Sequence, residues 1–235
     1  MYIRELAETY DDIYLARGRD YAAEAARVAA LIRERCPGAV SLLDAPCGTG
    51  AHLRHFAEQF EHVEGVELSP HMRQVAEQRL PGVPITAGDL RDFSLGRRFD
   101  AVTCLFAISH MASEAELKAA VGRLARHLTP DGVLVVEPWW QPDAYDSGHV
   151  AGDLVTGPRT VARVSHSVRE GQRVHTEVHC LVADSETGVR HVSETFSLTL
   201  FSDAEYTAAF AAAGLVCERV PGNGIDRDLL VGFHR

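Results

Sequence analysis

Leu43-Asp44-Ala45-Pro46-Cys47-Gly48-Thr49-Gly50 is the stretch that decides the fold. It begins where an apolar run, Val40-Ser41-Leu42-Leu43, reads as a buried strand stopping at Asp44. A turn of small residues then leads into a helix expected to start near His52. A second apolar run, Val63-Glu64-Gly65-Val66, closes on Glu67, about twenty residues further on. Without bulky side chains, the turn lets the backbone at Ala45 and Gly48 approach a ligand. A carboxylate ending the second strand can accept both hydroxyls of a ribose. The combination predicts an adenosine-containing cofactor with Glu67 on its ribose.

The spacing separates one such cofactor from another. A dinucleotide site needs G-x-G-x-x-G, the third glycine allowing close helix packing. Here Ala51-His52-Leu53 follows Gly50, so that glycine is missing. Asp44 would also repel a pyrophosphate, whereas it attracts an amino group or a sulfonium. Both features select S-adenosylmethionine. Pro46 fixes its own φ and restricts Ala45, which stiffens the turn without blocking it.

Composition bounds the rest. A chain of 235 residues with 46% apolar content can build one core with an elaboration. No N-terminal stretch carries a signal-peptide apolar region and no run approaches a membrane span, so a cytoplasmic location without membrane contact is expected. Five cysteines without a C-x-x-C fit reduced thiols. A net charge of −10 and the lack of a basic stripe argue against nucleic acid as a partner. The pairs His52/His55 and His175/His179 lack a Cys or carboxylate to complete a metal site, and none is expected.

The chain organises as an α/β unit with an insertion. Residues 1–19 read as a short polar and aromatic lead, and 20–35 as a helix with Asp20 at its N-cap. Strand-like runs end at Leu43, Val66, Ile85, Leu105 and Val136, with helices near 52–60, 70–79 and 114–128. This alternation predicts a parallel doubly wound sheet whose ligands lie at the carboxyl ends of the strands. Those ends carry Asp44, Glu67, Asp89, the 106–110 segment and Glu137. Beyond Glu137 the period changes to two. Arg163, Ser165, Ser167 and Arg169 share one face, with Val164, His166 and Val168 on the other. Residues 173–182 and 189–201 also read as strands, followed by a helix over 203–213 and a strand pair near 215–220 and 228–234. The expected division is 1–140 with 201–235 as the cofactor-binding part, and 141–200 as an inserted antiparallel sheet. Taken alone, the Arg/Ser face reads as the solvated side of that sheet rather than as a ligand site.

Several stretches together carry a narrower likeness: Ala16-Arg17-Gly18-Arg19-Asp20-Tyr21, Leu43 to Gly50, Gly88-Asp89-Leu90-Arg91-Asp92-Phe93, Val136-Glu137-Pro138-Trp139-Trp140, and Arg163 to Glu170. Over essentially its whole length the chain resembles the nucleotide-linked aminosugar N-methyltransferases, in particular the desosamine and mycaminose N,N-dimethyltransferases. The resemblance implies a class I methyltransferase, Rossmann-like, with an inserted antiparallel sheet, acting on a dTDP-linked amino-deoxysugar in antibiotic biosynthesis. On the cofactor side it implies Tyr10, Arg17, Tyr21 and Phe106 beside Asp44, Glu67, Asp89 and Leu90. Asp89 would accept the adenine amine, Leu90 would pack the ring and Arg17 would meet the methionine carboxylate. On the substrate side it implies Tyr2, Tyr14, Trp139, Trp140 and Arg227, with Arg163, Arg169, Ser165 and Ser167 facing the diphosphate. A homodimer is implied by family analogy.

The reaction needs an acceptor amine without its proton, and His110 is the expected residue to orient it and relay that proton. Two segments depart from the family pattern. Phe106 to Met111 is one residue shorter, and Gly222 to Asp228 lacks the usual ending; both border the expected sugar pocket. An O- or C-methyltransferase of the same fold is the alternative. An oxidoreductase is disfavoured by the missing glycine, and a silent binding module by the complete set Asp44, Glu67 and Asp89.

Overall fold

The small-residue turn leads from one strand of a seven-stranded sheet into a helix. A computed structural model describes residues 4–222 and 227–234 of the chain. Tyr2 and the centre of the 222–228 segment lie outside these residues. The first part runs α1 (Arg4–Ala16), α2 (Tyr21–Arg35), β1 (Ser41–Asp44), α3 (Ala51–Phe56), β2 (His62–Glu67), α4 (Pro70–Arg79) and β3 (Ile85–Ala87). Then come β4 (Phe99–Cys104), α5 (Glu114–Arg126) and β5 (Leu128–Val136). Four further strands follow: β6 (His149–Val155), β7 (Arg159–Glu170), β8 (Arg173–Asp184) and β9 (Gly188–Thr199). The chain ends with α6 (Asp203–Ala212), β10 (Val216–Val220) and β11 (Leu229–Phe233).

The main sheet has the order β10-β11-β5-β4-β1-β2-β3. Strands β3, β2, β1, β4 and β5 are parallel, while β11 is antiparallel to β5 and to β10. Leu42 and Leu43 are adjacent in sequence and point to opposite faces, so each enters a different core cluster. Leu42 packs with Ile32 and Phe56, and Leu43 with Leu134 and Phe210. Because β1 lies between β2 and β4, the strand order reverses there, which opens a crevice at the carboxyl ends.

Local chemistry sets most helix starts. The carboxylate of Asp20 accepts from Ala23 N, Ser69 caps α4 ahead of Pro70, and Ser202 with Glu205 forms a capping box on α6. Two expectations need correction. The helix after the turn stops at Phe56 instead of reaching 60, because the chain folds back to bury Phe60 against Phe56. The 1–19 lead contains a helix, α1, whose Leu6 and Ile13 pack on Val161, Val178 and Val182 of the second sheet. That burial, with no strong signal in the segment itself, makes the helix.

The second sheet is an antiparallel meander, β6-β7-β8-β9. Its edge strand β6 was not expected, since Gly152 and Asp153 are poor strand formers and only pairing with β7 holds them extended. The inward face of this sheet is mixed, with Val161, Val178 and Val182 buried at one end and hydroxyl side chains at the other. Ser165, Ser167 and Thr176 are buried, while Val164, Val150 and Leu181 are exposed at 57%, 70% and 51%. The face that carries Ser165 and Ser167 therefore turns inward, towards the crevice.

Gly65 shows how tightly the turn is seated. A Cβ there would lie 2.7 Å from Cys47 Sγ and 2.9 Å from Ile85 Cδ1. Gly65→Ala is expected to cost about 1–3 kcal/mol by overpacking and to weaken cofactor binding by displacing Cys47. Urea unfolding and calorimetric titration would check both. Unchanged values would mean that the turn tolerates the shift.

Candidate active site

The turn is shaped by its own hydrogen bonds. Cys47 N donates to Val66 O at 2.9 Å, Gly48 N to Glu67 Oε2 at 2.9 Å, and Ser69 N to Glu67 Oε1 at 2.7 Å. One carboxylate thus ties the ends of β1 and β2 together, and burial raises its pKa against those donors. Gly48 and Gly50 have φ of 56° and 76°, where a side chain would be strained. A Cβ on Gly50 would also lie 3.1 Å from Leu80 and 3.3 Å from Ala76. Gly50 itself supplies the close helix approach.

Asp44 is buried, and Thr103 Oγ1 donates to it at 2.7 Å. It forms no salt bridge among the described residues. Burial pushes its carboxyl up to about 6, with His52 and Thr103 opposing and Glu67 adding to the rise. A buried carboxylate without a cationic partner is a fitting receptor for a ligand cation.

Helix α1 closes one side. Thr49 Oγ1 donates to Asp11 at 2.8 Å and Arg79 Nη2 at 2.5 Å, clasping the helix to the turn. The rings of Tyr10 and Tyr14 meet at a tilt with centroids 4.5 Å apart, and both line a cavity of about 870 Å³ together with Tyr21. Arg17 also lines it, but its guanidinium is bound bidentately to Asp153, at 2.8 and 2.6 Å. The arginine set nearer the sheet is Arg19, which the sequence reading had not singled out for a role. It donates to Glu24 at 2.8 Å and to Glu137 at 3.1 Å. Burial works against its charge, yet Glu137 and Glu24 prevail and raise its pKa. His52 meets Glu24 at 2.6 Å, extending this network. Glu24 and His52 were likewise missed, because their partners are far apart in sequence.

Phe106 stands at the centre of the crevice. It has a φ of 61° although it is not glycine, which marks local strain at the end of β4. Its ring receives Arg19 at 4.5 Å and Arg227 at 5.0 Å, with Tyr14 edge-on at 5.2 Å. Two cation–π contacts of about 0.5–2 kcal/mol each help offset that strain.

The opposite wall is the inward face of the second sheet. Arg163 Nη1 donates to Ser165 Oγ at 3.1 Å, and Ser167 and Thr176 share a hydrogen bond of 2.9 Å. Arg169 is a correction. Its guanidinium donates to the carbonyls of Pro142, Tyr145 and Gly171, so it braces the 142–145 segment and does not line the cavity. Trp139 packs on Tyr145, and Arg227 lies over Trp140 at 5.6 Å. Burial lowers the Arg227 pKa, with Glu137 partly restoring it.

Leu90 and Asp89 line the far end, where Arg91 grips Asp89 at 2.8 and 2.5 Å and lowers its pKa. His110 sits in a helical turn, Ile108–His110, and its ring lies 6.1 Å from that of Phe196. Thr199 Oγ1, at the end of β9, donates to Met111 O at 2.5 Å, so the inserted sheet holds this loop. His110 is exposed on the side of the cavity, yet the protein packed around the ring, with Arg173, lowers its pKa to about 4. His175 pairs with Ser197, and His179 with His191 and Glu177, on the outer face.

Residues 42–132 match the family described as a methyltransferase domain. The chain is 52% identical to the dTDP-3-amino-3,6-dideoxy-alpha-D-glucopyranose N,N-dimethyltransferase of Streptomyces fradiae, over 99% of this chain and 92% of that protein. It belongs to the dTDP-aminosugar N,N-dimethyltransferase family. A further member, the dTDP-4-amino-2,3,4,6-tetradeoxy-D-glucose N,N-dimethyltransferase of Saccharopolyspora spinosa, is 47% identical over 99% of this chain and 94% of its own. The S-adenosylmethionine-bound amino pentose methyltransferase of calicheamicin biosynthesis from Micromonospora echinaspora superposes with a TM-score of 0.87. That structure is 48% identical, and the match covers 100% of this chain and 98% of the other. The protein is therefore an S-adenosylmethionine-dependent methyltransferase of the class I fold, and the crevice at the β1/β4 switch point is where such a fold holds its methyl donor.

Asp44 provides a test of the electrostatics. Its carboxyl, near 3.8 unfolded and about 6 folded, favours the folded state when protonated, and that contribution is lost as pH rises from about 4 to 6. Asp44→Asn should stabilise the free protein by on the order of 2 kcal/mol at pH 7 and by almost nothing near pH 4. The same variant should bind S-adenosylmethionine at least about tenfold more weakly at pH 7.5, a loss typical of one charge-assisted contact. Urea unfolding against pH and calorimetry would show it; a destabilised variant would contradict the assignment.

Proposed function

We propose that this enzyme methylates the amino group of a dTDP-linked amino-deoxysugar, twice in succession, to give a dimethylamine. The observation that carries the substrate side is the row of hydroxyls and Arg163 on the inward face of the second sheet, where it lines the cavity. Ser165, Ser167, Thr176 and Arg163 already hydrogen-bond one another or Asp153, and the acceptor and donor capacity they keep towards the cavity suits a polar ligand. A sugar diphosphate is such a ligand, with Arg163 as its charge-assisted donor. Arg227 and the faces of Trp139 and Trp140 suit the base or the sugar ring, and Tyr14 closes that side. On the donor side Glu67 suits the ribose hydroxyls, Asp44 the ligand's cationic end, and Asp89 with Leu90 the adenine.

When bound, S-adenosylmethionine supplies an electrophilic methyl group with a thioether as leaving group. The amine lone pair forms the new carbon–nitrogen bond as the carbon–sulfur bond breaks, and the resulting ammonium sheds a proton. The chain's own residues align the partners and exclude water. His110 fits the role of a neutral hydrogen-bond acceptor that orients the amine. With a pKa of about 4 it is uncharged at neutral pH and too weak a base to hold the amine proton, which passes to water.

The relatives act on amines at different ring positions, and the departures at Phe106 to Met111 and Gly222 to Asp228 border the site that makes this choice. We take the 3-amino sugar as the first acceptor. A reducing, cytoplasmic setting suits the five free cysteines, and no helix among the described residues is long and apolar enough to cross a membrane. For the assembly we favour a homodimer covering the exposed Val150, Leu154 and Leu181; a monomeric mass by light scattering would refute it.

Incubation with S-adenosylmethionine and a dTDP-3-amino-deoxysugar should show stepwise addition of one and then two methyl groups by mass spectrometry. Turnover of a hydroxylated analogue, with every amine left untouched, would select an O-methyltransferase instead. His110→Asn should lower kcat by about three- to tenfold, a modest share of general acid–base effects, and leave the shape of the pH–rate profile from pH 6 to 9 unchanged. An inflection near 6.5 present only in the parent enzyme would make His110 the proton acceptor.

A further inference from the structure

Asp153 belongs to the edge strand β6 and has so far been given no ligand of its own. It is directly opposite Arg163 in the β6–β7 pairing. Its carboxylate takes two hydrogen bonds from Arg17, at 2.8 and 2.6 Å, and Arg163 Nη1 lies 3.3 Å from the same Oδ2. The Asp153 and Arg163 side chains are each only 12% exposed. Burial raises the Asp153 pKa, but Arg17 and Arg163 outweigh it and leave the group low and ionised.

The two arginines serve different ligands. Arg17 follows α1, which Asp11 clasps to Thr49 and Arg79 at the donor-binding turn. Its guanidinium also lies 5.5 Å above the Tyr14 ring. Arg163, held also by Ser165, belongs to the wall facing the acceptor. A ligand ordering α1 over the turn sets the position of Arg17, and through one shared carboxylate it sets that of Arg163. A guanidinium already aimed loses less conformational freedom when a diphosphate arrives.

We propose that Asp153 is a positioning residue that couples the donor and acceptor subsites, by pinning Arg17 and Arg163 with a single carboxylate. Binding at either subsite then tightens the other. This inference rests on the sugar-nucleotide reading of the acceptor wall.

The test is calorimetric titration of the full chain with dTDP, with and without saturating S-adenosylhomocysteine, and the reciprocal titration. Each ligand should tighten the other by about five- to tenfold, equally in both directions as linkage requires. In Asp153→Asn each ligand should still bind alone, but the mutual effect should fall below about twofold, outside the usual range for coupled sites. Arg17→Gln, a change at a more exposed side chain, should lose the same coupling. The double variant should lose no more, because the two residues act as one unit. A role in stability alone would lower the melting temperature and leave the coupling intact, which overturns the proposal. So would independent binding of the two ligands in the parent protein. Failure of dTDP to bind at all would overturn both this inference and the acceptor reading, so the two failures are distinguishable.

Discussion

Three carboxylates, Asp44, Glu67 and Glu137, are buried at the carboxyl ends of β1, β2 and β5, and a buried charge must be answered. Glu67 is answered by backbone N–H groups, which fixes the shape of the turn between β1 and α3. Glu137 is answered by Arg19, and Arg227 lies 3.8 Å away; both guanidiniums bear on Phe106. Among the described residues Asp44 receives only a hydroxyl. The first answer builds the turn, the second draws the N-terminal segment over the crevice, and the third leaves a demand that a cationic ligand can meet.

The inserted sheet solves a complementary problem. Its inner face is apolar towards Val161, Val178 and Val182, and polar towards Ser165, Ser167 and Thr176. Helix α1 covers the apolar part with Leu6 and Ile13, and the polar part remains as the wall of the cavity. One helix therefore serves as core for the inserted sheet, clasp for the turn and side wall for the site. This economy explains why a segment of modest intrinsic helicity is ordered: its hydrogen bonds and its apolar contacts lie on different neighbours.

The parallel frame was legible because each strand and helix is coded by a short period, and the side chains that repeat it are neighbours in the chain. The carboxylate of Glu67 at the end of β2, the small-residue turn and the alternating Arg163–Ser167 face were legible for the same reason. Arg169 continues that alternation, so its period placed it with the others. Nearby carbonyls of the 142–145 segment captured it instead, and periodicity carries no information about such competition.

What the sequence determined by itself was the parallel frame, the cofactor class and which side chains alternate along the strand of Arg163, all of which follow from spacing along a single segment. Helix α1, strand β6 and the direction in which the faces of the Arg163 strand turn were not among them. Which charges meet was decided only by the tertiary structure. Arg19 reaches Glu137 across 118 residues and Arg17 reaches Asp153 across 136. At such separations local pattern says nothing about proximity. Partner choice is settled by the packing of α1 between α4 and the second sheet, where a guanidinium takes the carboxylate that burial has left within reach.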